Sequence, residues 1–172
     1  PMNSRERVML ALNHKEPDRI PIDLGGTIIT SIHREAYTKV KKKLGMKVED
    51  FKLCDYVQQL PYVDEDLLKR FEVDFRIVQL PAATAPGLKY FEEGDYYAFI
   101  DRWGSKLHMP KHGGFYFDWV DFPIKEPTMG ALDNYQWPKP DPLALNQRLR
   151  AQAKYLYENT DYALVGSGVI GG

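Results

Sequence analysis

The sequence predicts an α/β fold that carries an antiparallel β insertion. Three observations predict it. Residues 17–45 read as a strand, a glycine-marked loop and a helix; two more apolar strand-like runs, near 73–80 and 161–165, are set apart by helical patterns. Residues 81–127 are rich in Pro, Gly and aromatics, with short alternating runs that read as hairpins.

The elements follow in order. Asn3 or Ser4 caps a first helix running to about Asn13, with Glu6 at capping-box spacing from Asn3 and an apolar face of Val8, Met9, Ala11 and Leu12. Residues 20–24 are an apolar run too short for a helix, with Pro21 near the start where a missing N–H is tolerable. Gly25 and Gly26 permit backbone angles or close approaches that a side chain would block. Ser31 is the expected N-cap of the next helix. Ile32, Ala36, Tyr37, Val40 and Leu44 form its inner face, Lys39, Lys41, Lys42 and Lys43 mostly face away, and Gly45 closes it. Residues 46–62 read either as a short strand around Cys54–Leu60 or as a packed loop. Asp64 caps a short helix with Leu67, Leu68 and Phe71, and a second strand follows at 73–80. Within 81–127, one hairpin turns at Glu93-Gly94-Asp95 and another at 111–114. Asp141-Pro142 opens a last helix with a stripe of Leu145, Leu149, Ala153 and Leu156, and a third strand at 161–165 runs into a glycine-rich end. Three such strands cannot close a barrel, and a three-stranded parallel sheet is poorly covered. The expectation is therefore the N-terminal part of a longer polypeptide; the alternative is a small α+β domain with a tail.

Composition narrows the function classes. At 172 residues the chain can bury a core, and a formal net charge of -1 gives no support for a nucleic-acid or membrane-surface partner. The single cysteine, Cys54, precludes an internal disulfide, suits a reducing cytosol and reads as a packed thiol. No stretch approaches a membrane span.

In α/β folds ligands bind in the loops at the C-terminal ends of the strands, so 23–27 is the first candidate site. Asp23 is its sharpest residue. A carboxylate inside an apolar strand must be paired, either as a structural loop staple or with a ligand. His33, at the start of the helix, is either a general base or polar ligand, or a surface histidine. Gly166-x-Gly168-x-x-Gly171 matches a dinucleotide fingerprint after a strand, but no helix and no acidic residue follow it. His108 and His112 stand four apart in a turn, not on a helix, so metal-ligand spacing does not apply. Asp74 and Arg76 read as structural, paired across the sheet or at its lower end.

Five stretches carry a family likeness: SRERVMLALNHKEPDRIPIDLGGT, SIHREAYTKVKKKLG, YVQQLPYVDEDLLKRFEVDFR, RWGSKLHMPKHGGFY and YENTDYALVGSG. Together they resemble the uroporphyrinogen decarboxylase superfamily, in the branch of anaerobe proteins related to corrinoid-dependent methyltransferases. The resemblance covers nearly the whole chain but only the first half of the family's usual length. It implies the N-terminal half of a (β/α)8 TIM barrel over residues 1–172, with 81–127 as an inserted antiparallel β-hairpin region. Residues 20–23, 74–78 and 163–165 would be the first three barrel strands.

The departures from the family pattern are chemical. Uroporphyrinogen decarboxylases carry an arginine motif after the first strand to hold substrate carboxylates, and a catalytic Asp after the second. Here Leu24-Gly25-Gly26-Thr27-Ile28-Ile29 and Gln79-Leu80-Pro81 stand in those places, and Arg34 comes later, inside the helix. A polycarboxylate needs fixed guanidinium groups. The resemblance therefore implies a methyltransferase using a corrinoid (cobalamin) cofactor or a corrinoid protein, in the cytoplasm. Asp23 would be the catalytic or loop-orienting group, and Gly25, Gly26, Thr27, His33, Gln79, Ser167 and Gly168 would meet a small-molecule substrate. Zinc, if used, would be held by residues absent from this chain. The alternatives are a carboxy-lyase acting on uroporphyrinogen or a related porphyrinogen, and a non-catalytic fragment whose sheet edges pair with the missing half of the barrel, in cis or as a separate chain; a homo-oligomer is a further expectation.

Overall fold

The computed structural model describes residues 2–48, 50–79, 90–139 and 143–166. It is a mixed α/β protein with small sheets and no closed barrel among the described residues. The chain divides into two compact units. The first comprises 1–54, 60–80 and 142–172; the second comprises 55–59 and 81–141.

The first unit opens with α1 (Ser4–Leu12), which begins as the sequence predicts. Asn3 Oδ1 accepts from Glu6 N at 2.8 Å, and Glu6 Oε2 accepts from Asn3 N at 3.0 Å, a complete capping box. The expected first strand at 20–24 is not a strand. The segment makes one backbone bond to the neighbouring run, Asp74 N to Ile22 O at 2.9 Å, and Ile20 is 83% exposed. A ladder needs repeated pairing, and one bond does not make one. Next comes α2 (Arg34–Lys43), capped by His33 and not by Ser31: the imidazole accepts from Glu35 N at 3.3 Å, while Ser31 Oγ donates to Pro61 O at 3.4 Å. The expected inner face also needs correction. Tyr37 and Lys41 are buried, whereas Ala36 is exposed.

The ambiguous stretch after α2 resolves into two short paired strands, β1 (Leu53–Asp55) and β2 (Leu60–Pro61). Helix α3 (Glu65–Arg70) buries Leu67 and Leu68. Strand β3 (Phe75–Val78) ends at the edge of the undescribed residues 80–89.

In the second unit the two expected hairpins form one antiparallel sheet, ordered β4 (Phe91–Glu93), β5 (Tyr96–Ile100), β6 (Lys106–Pro110) and β7 (Asp118–Asp121). Gly94 turns the first hairpin at φ +57°, a conformation that glycine adopts freely. One face of the sheet packs Phe99, Leu107 and Met109 with Phe117 and Val57. On the other face Glu93 pairs with Lys106 and His108, and Tyr96 stacks on the His108 ring. A short helix that the sequence did not announce, α4 (Met129–Asn134), follows; Thr128 caps it by accepting from Ala131 N.

Back in the first unit, α5 (Leu143–Asn159) leads to β8 (Ala163–Gly166). Strand β8 runs parallel to β3, with Phe75 opposite Ala163 and Val78 opposite Gly166, and α5 lies against both. Parallel pairing through a helical crossover is the α/β unit the strand pattern predicts.

A buried ionic cluster ties these pieces together at the start of β3. Asp74 is 0% exposed. Its carboxylate accepts from Arg7 Nη1 (2.6 Å), Arg19 Nη1 (2.7 Å), Arg19 Nη2 (3.0 Å) and Ile22 N (2.8 Å). Arg7 also forks onto Asp18 through Nε and Nη2, at 2.5 and 2.8 Å. Burial pushes the Asp74 carboxyl up, but the Ile22 N–H and the side chains of Arg19, Ser4 and Arg7 outweigh it and hold the carboxyl below its usual range. A carboxyl depressed in the folded state stabilises that state above its unfolded pKa, near 4, and the contribution is lost as pH falls through the folded value. Replacing Asp74 by Asn should therefore cost about 3 kcal/mol near neutral pH, since Arg19 loses its nearest carboxylate and Arg7 keeps only Asp18. Denaturant titrations from pH 7 to pH 2 should show the wild type losing stability toward the acid end and Asp74→Asn losing less.

Candidate functional site

The candidate site lies where the extended 20–23 segment turns into the loop before α2. Asp23 Oδ1 accepts from Gly26 N at 2.8 Å, so the carboxylate staples the turn that follows it. Two glycines make this turn feasible. Gly25 has φ +79°, and a Cβ there would meet Val63 Cγ2 at 2.9 Å. At Gly26 a Cβ would meet Asp23 Oδ1 at 2.5 Å and Phe75 Cβ at 2.9 Å. The loop then closes on itself. Gly25 N donates to Thr30 O at 3.0 Å, Thr27 N donates to Thr30 Oγ1 at 3.1 Å, and the two threonine hydroxyls stand 3.3 Å apart. Thr27 thus holds the loop with its own hydroxyl.

The other sequence-predicted residues fall as follows. His33 ends the same loop and caps α2. Gln79 follows the last residue of β3; its Nε2 donates to Cys54 O at 3.4 Å, and its Oε1 is buried with no hydrogen-bond partner among the described residues. Ser167 and Gly168 lie outside the described residues. Asp23, Gly25, Gly26, Thr27 and His33 therefore belong to one connected stretch, and Gln79 is fixed by a different one. Gly26 abuts Phe75, the first residue of β3, and Gln79 comes four residues later, about 13 Å along a strand.

Cation placement is the electrostatic feature of this unit. Arg7 and Arg19 are spent on Asp18 and Asp74. Arg76 forks onto Glu65 at 2.9 and 3.0 Å and lies 3.5 Å above the Tyr162 ring. Arg5 bonds the carbonyls of Tyr157, Thr160 and Tyr162. Asp74 and Arg76 are structural, as expected, but with other partners than each other. Cys54 is buried, its thiol 3.6 Å from Pro61 O. Among the described residues no three His, Cys, Asp or Glu side chains are placed to share a metal ion, and no helix is long and apolar enough to cross a membrane.

Sequence reasoning missed the support behind the loop. Tyr37 and Lys41, one helical turn apart on α2, both reach Asp64. The signal was present as an i, i+4 Tyr–Lys pair preceding an Asp-capped helix, but the lysine run masked it. No protein-family model, curated protein or solved structure matches the chain.

The loop geometry makes Gly25 intolerant of a side chain for two reasons, the left-handed φ and the Val63 contact. Gly25→Ala should cost about 2 kcal/mol, the scale of a left-handed non-glycine residue. Gly45→Ala serves as control, because its φ is +68° but nothing lies within 4 Å of the added carbon. Thermal unfolding should show a larger loss at Gly25 than at Gly45.

Proposed function

We propose that this chain is the N-terminal part of a (β/α)8 barrel resembling the uroporphyrinogen decarboxylase superfamily. In this reading the completed barrel is a cytoplasmic methyltransferase, acting between a corrinoid cofactor or corrinoid protein and a small-molecule acceptor. The observation that carries the reading is the disposition of charge. Arg5, Arg7, Arg19 and Arg76 are all committed to internal carboxylates or carbonyls, and the end of β3 presents the neutral amide of Gln79. A neutral amide at the end of the strand suits methyl transfer to an uncharged or hydrogen-bonding acceptor. It suits a substrate with many carboxylates poorly, because such a ligand needs guanidinium forks free to meet it. Decarboxylation of a porphyrinogen is therefore the weaker reading. The parallel β3–β8 pair supports the barrel part of the proposal.

The residues divide the work. Asp23 spends Oδ1 on the loop and offers Oδ2 to the acceptor. Gly25 and Gly26 let the loop pack against Val63 and Phe75 and so hold Asp23 in place, and Gln79 lies at the far end of β3. A corrinoid, when bound, supplies the methyl group. Any zinc would be held by residues outside this sequence.

The test is the visible spectrum of methylcobalamin mixed with the full-length protein and a thiol acceptor. The spectrum should change on methyl loss. Asp23→Ala should slow the change roughly a hundredfold, because a displaced loop misplaces reacting groups. Asp23→Asn keeps an acceptor for Gly26 N–H, so it should slow the change less if the loop staple dominates. An unchanging spectrum, or conversion of uroporphyrinogen to coproporphyrinogen, would overturn the proposal.

A further inference from the structure

We infer that Lys41 is a positioning residue for the glycine loop, acting through Asp64 and Val63. Its bearing on catalysis rests on the reading proposed above. Lys41 is 6% exposed, although it belongs to a lysine run that otherwise faces water. Its ammonium pairs with Asp64 Oδ2, and Asp64 N donates to the Tyr37 hydroxyl at 3.1 Å. The residue before Asp64 is Val63, whose methyl group the backbone of Gly25 presses against. A second tether lies two residues back, where Pro61 O accepts from Ser31 Oγ. The loop is thus held between the helix it leads into and the 61–64 segment, and Lys41 fastens those two together.

Two features argue that the pair serves geometry more than stability. A buried ammonium is costly unless paired, and an apolar side chain of similar length would fill the site without that cost. Asp64 is also the N-cap residue of α3, yet its side chain caps no N–H of that helix. The carboxylate that would cap α3 is instead given to the lysine. The charge states fit. Burial pushes the Tyr37 hydroxyl up, which keeps it neutral. Burial also opposes ionisation of Asp64, but Lys41 and Tyr37 prevail and hold its carboxyl below the usual range.

The test is amide hydrogen exchange, read by mass spectrometry on the full-length protein without ligand. Lys41→Met keeps most of the stem and removes the charge. It should speed exchange in 24–31 about tenfold and leave the Arg7–Asp74 region unchanged. Lys41→Arg should restore protection. Val63→Ala, which leaves the ion pair in place, should speed exchange in the same loop and carries the test should Lys41→Met fail to fold. Unchanged loop exchange in Lys41→Met or Val63→Ala, an equal rise throughout the unit, or no restoration by Lys41→Arg would overturn the inference. Because exchange needs neither corrinoid nor acceptor, loss of the methyl-transfer reading leaves this result standing. Normal methyl transfer with an undisturbed loop would sink only the role given to Lys41.

Discussion

Asp74 sets the registers of the first unit. Its carboxylate gathers Arg7 from α1, Arg19 from the connection and the N–H of Ile22. Its backbone does the rest: Asp74 N donates to Ile22 O, and Asp74 O accepts from Ala163 N. One residue therefore fixes the 20–23 segment on one side of β3 and β8 on the other. A carboxylate with no exposure is tolerable only when every lone-pair direction finds a donor. The donors of Arg7, Arg19, Ile22 and Ser4 meet that demand, and losing both arginines would strand the charge in the interior. The glycine loop inherits its position from this knot. The chain leaves Asp74's side at Ile22, and within four residues Gly26 has turned back against Phe75.

What the sequence makes legible is the local chemistry. The Asn3–Glu6 capping box and the Glu93-Gly94-Asp95 turn are short-range, and each forms as its residues predict. The pairing of Asp23 with a loop N–H was also legible in kind, since an acid in an apolar run must find a donor close by. Contacts distant in sequence are different. Asp74 meets Arg7 across 67 residues, and no pattern near either residue announces the other. Lys41 looks like its exposed neighbours, and only the arrival of Asp64 at its helix face makes burial affordable. Ser31 is the cap that residue type favours. The carbonyl of Pro61, supplied by tertiary structure, claims the serine and leaves the cap to the imidazole. The 20–24 run has strand composition, but a strand assignment depends on the neighbours it pairs with.

The short β3 strand shows how charge is sorted along one element. At its start stand Asp74 and, two residues on, Arg76, both buried and both bonded to partners within the unit. At its end stand Val78 and Gln79, where the remaining polar group is an amide whose oxygen finds no donor among the described residues. Strong charges at the first end satisfy one another, so they give rigidity and exert little field outside. A neutral amide at the other end is a weak, directional acceptor that discriminates by hydrogen-bond geometry. Swapping the two sets would leave the fold without its knot. In an α/β unit the C-terminal ends of parallel strands are where ligands meet the chain. A strand whose charged residues stand at its start and whose end carries a neutral amide therefore concentrates its contribution to the fold at the Asp74 end.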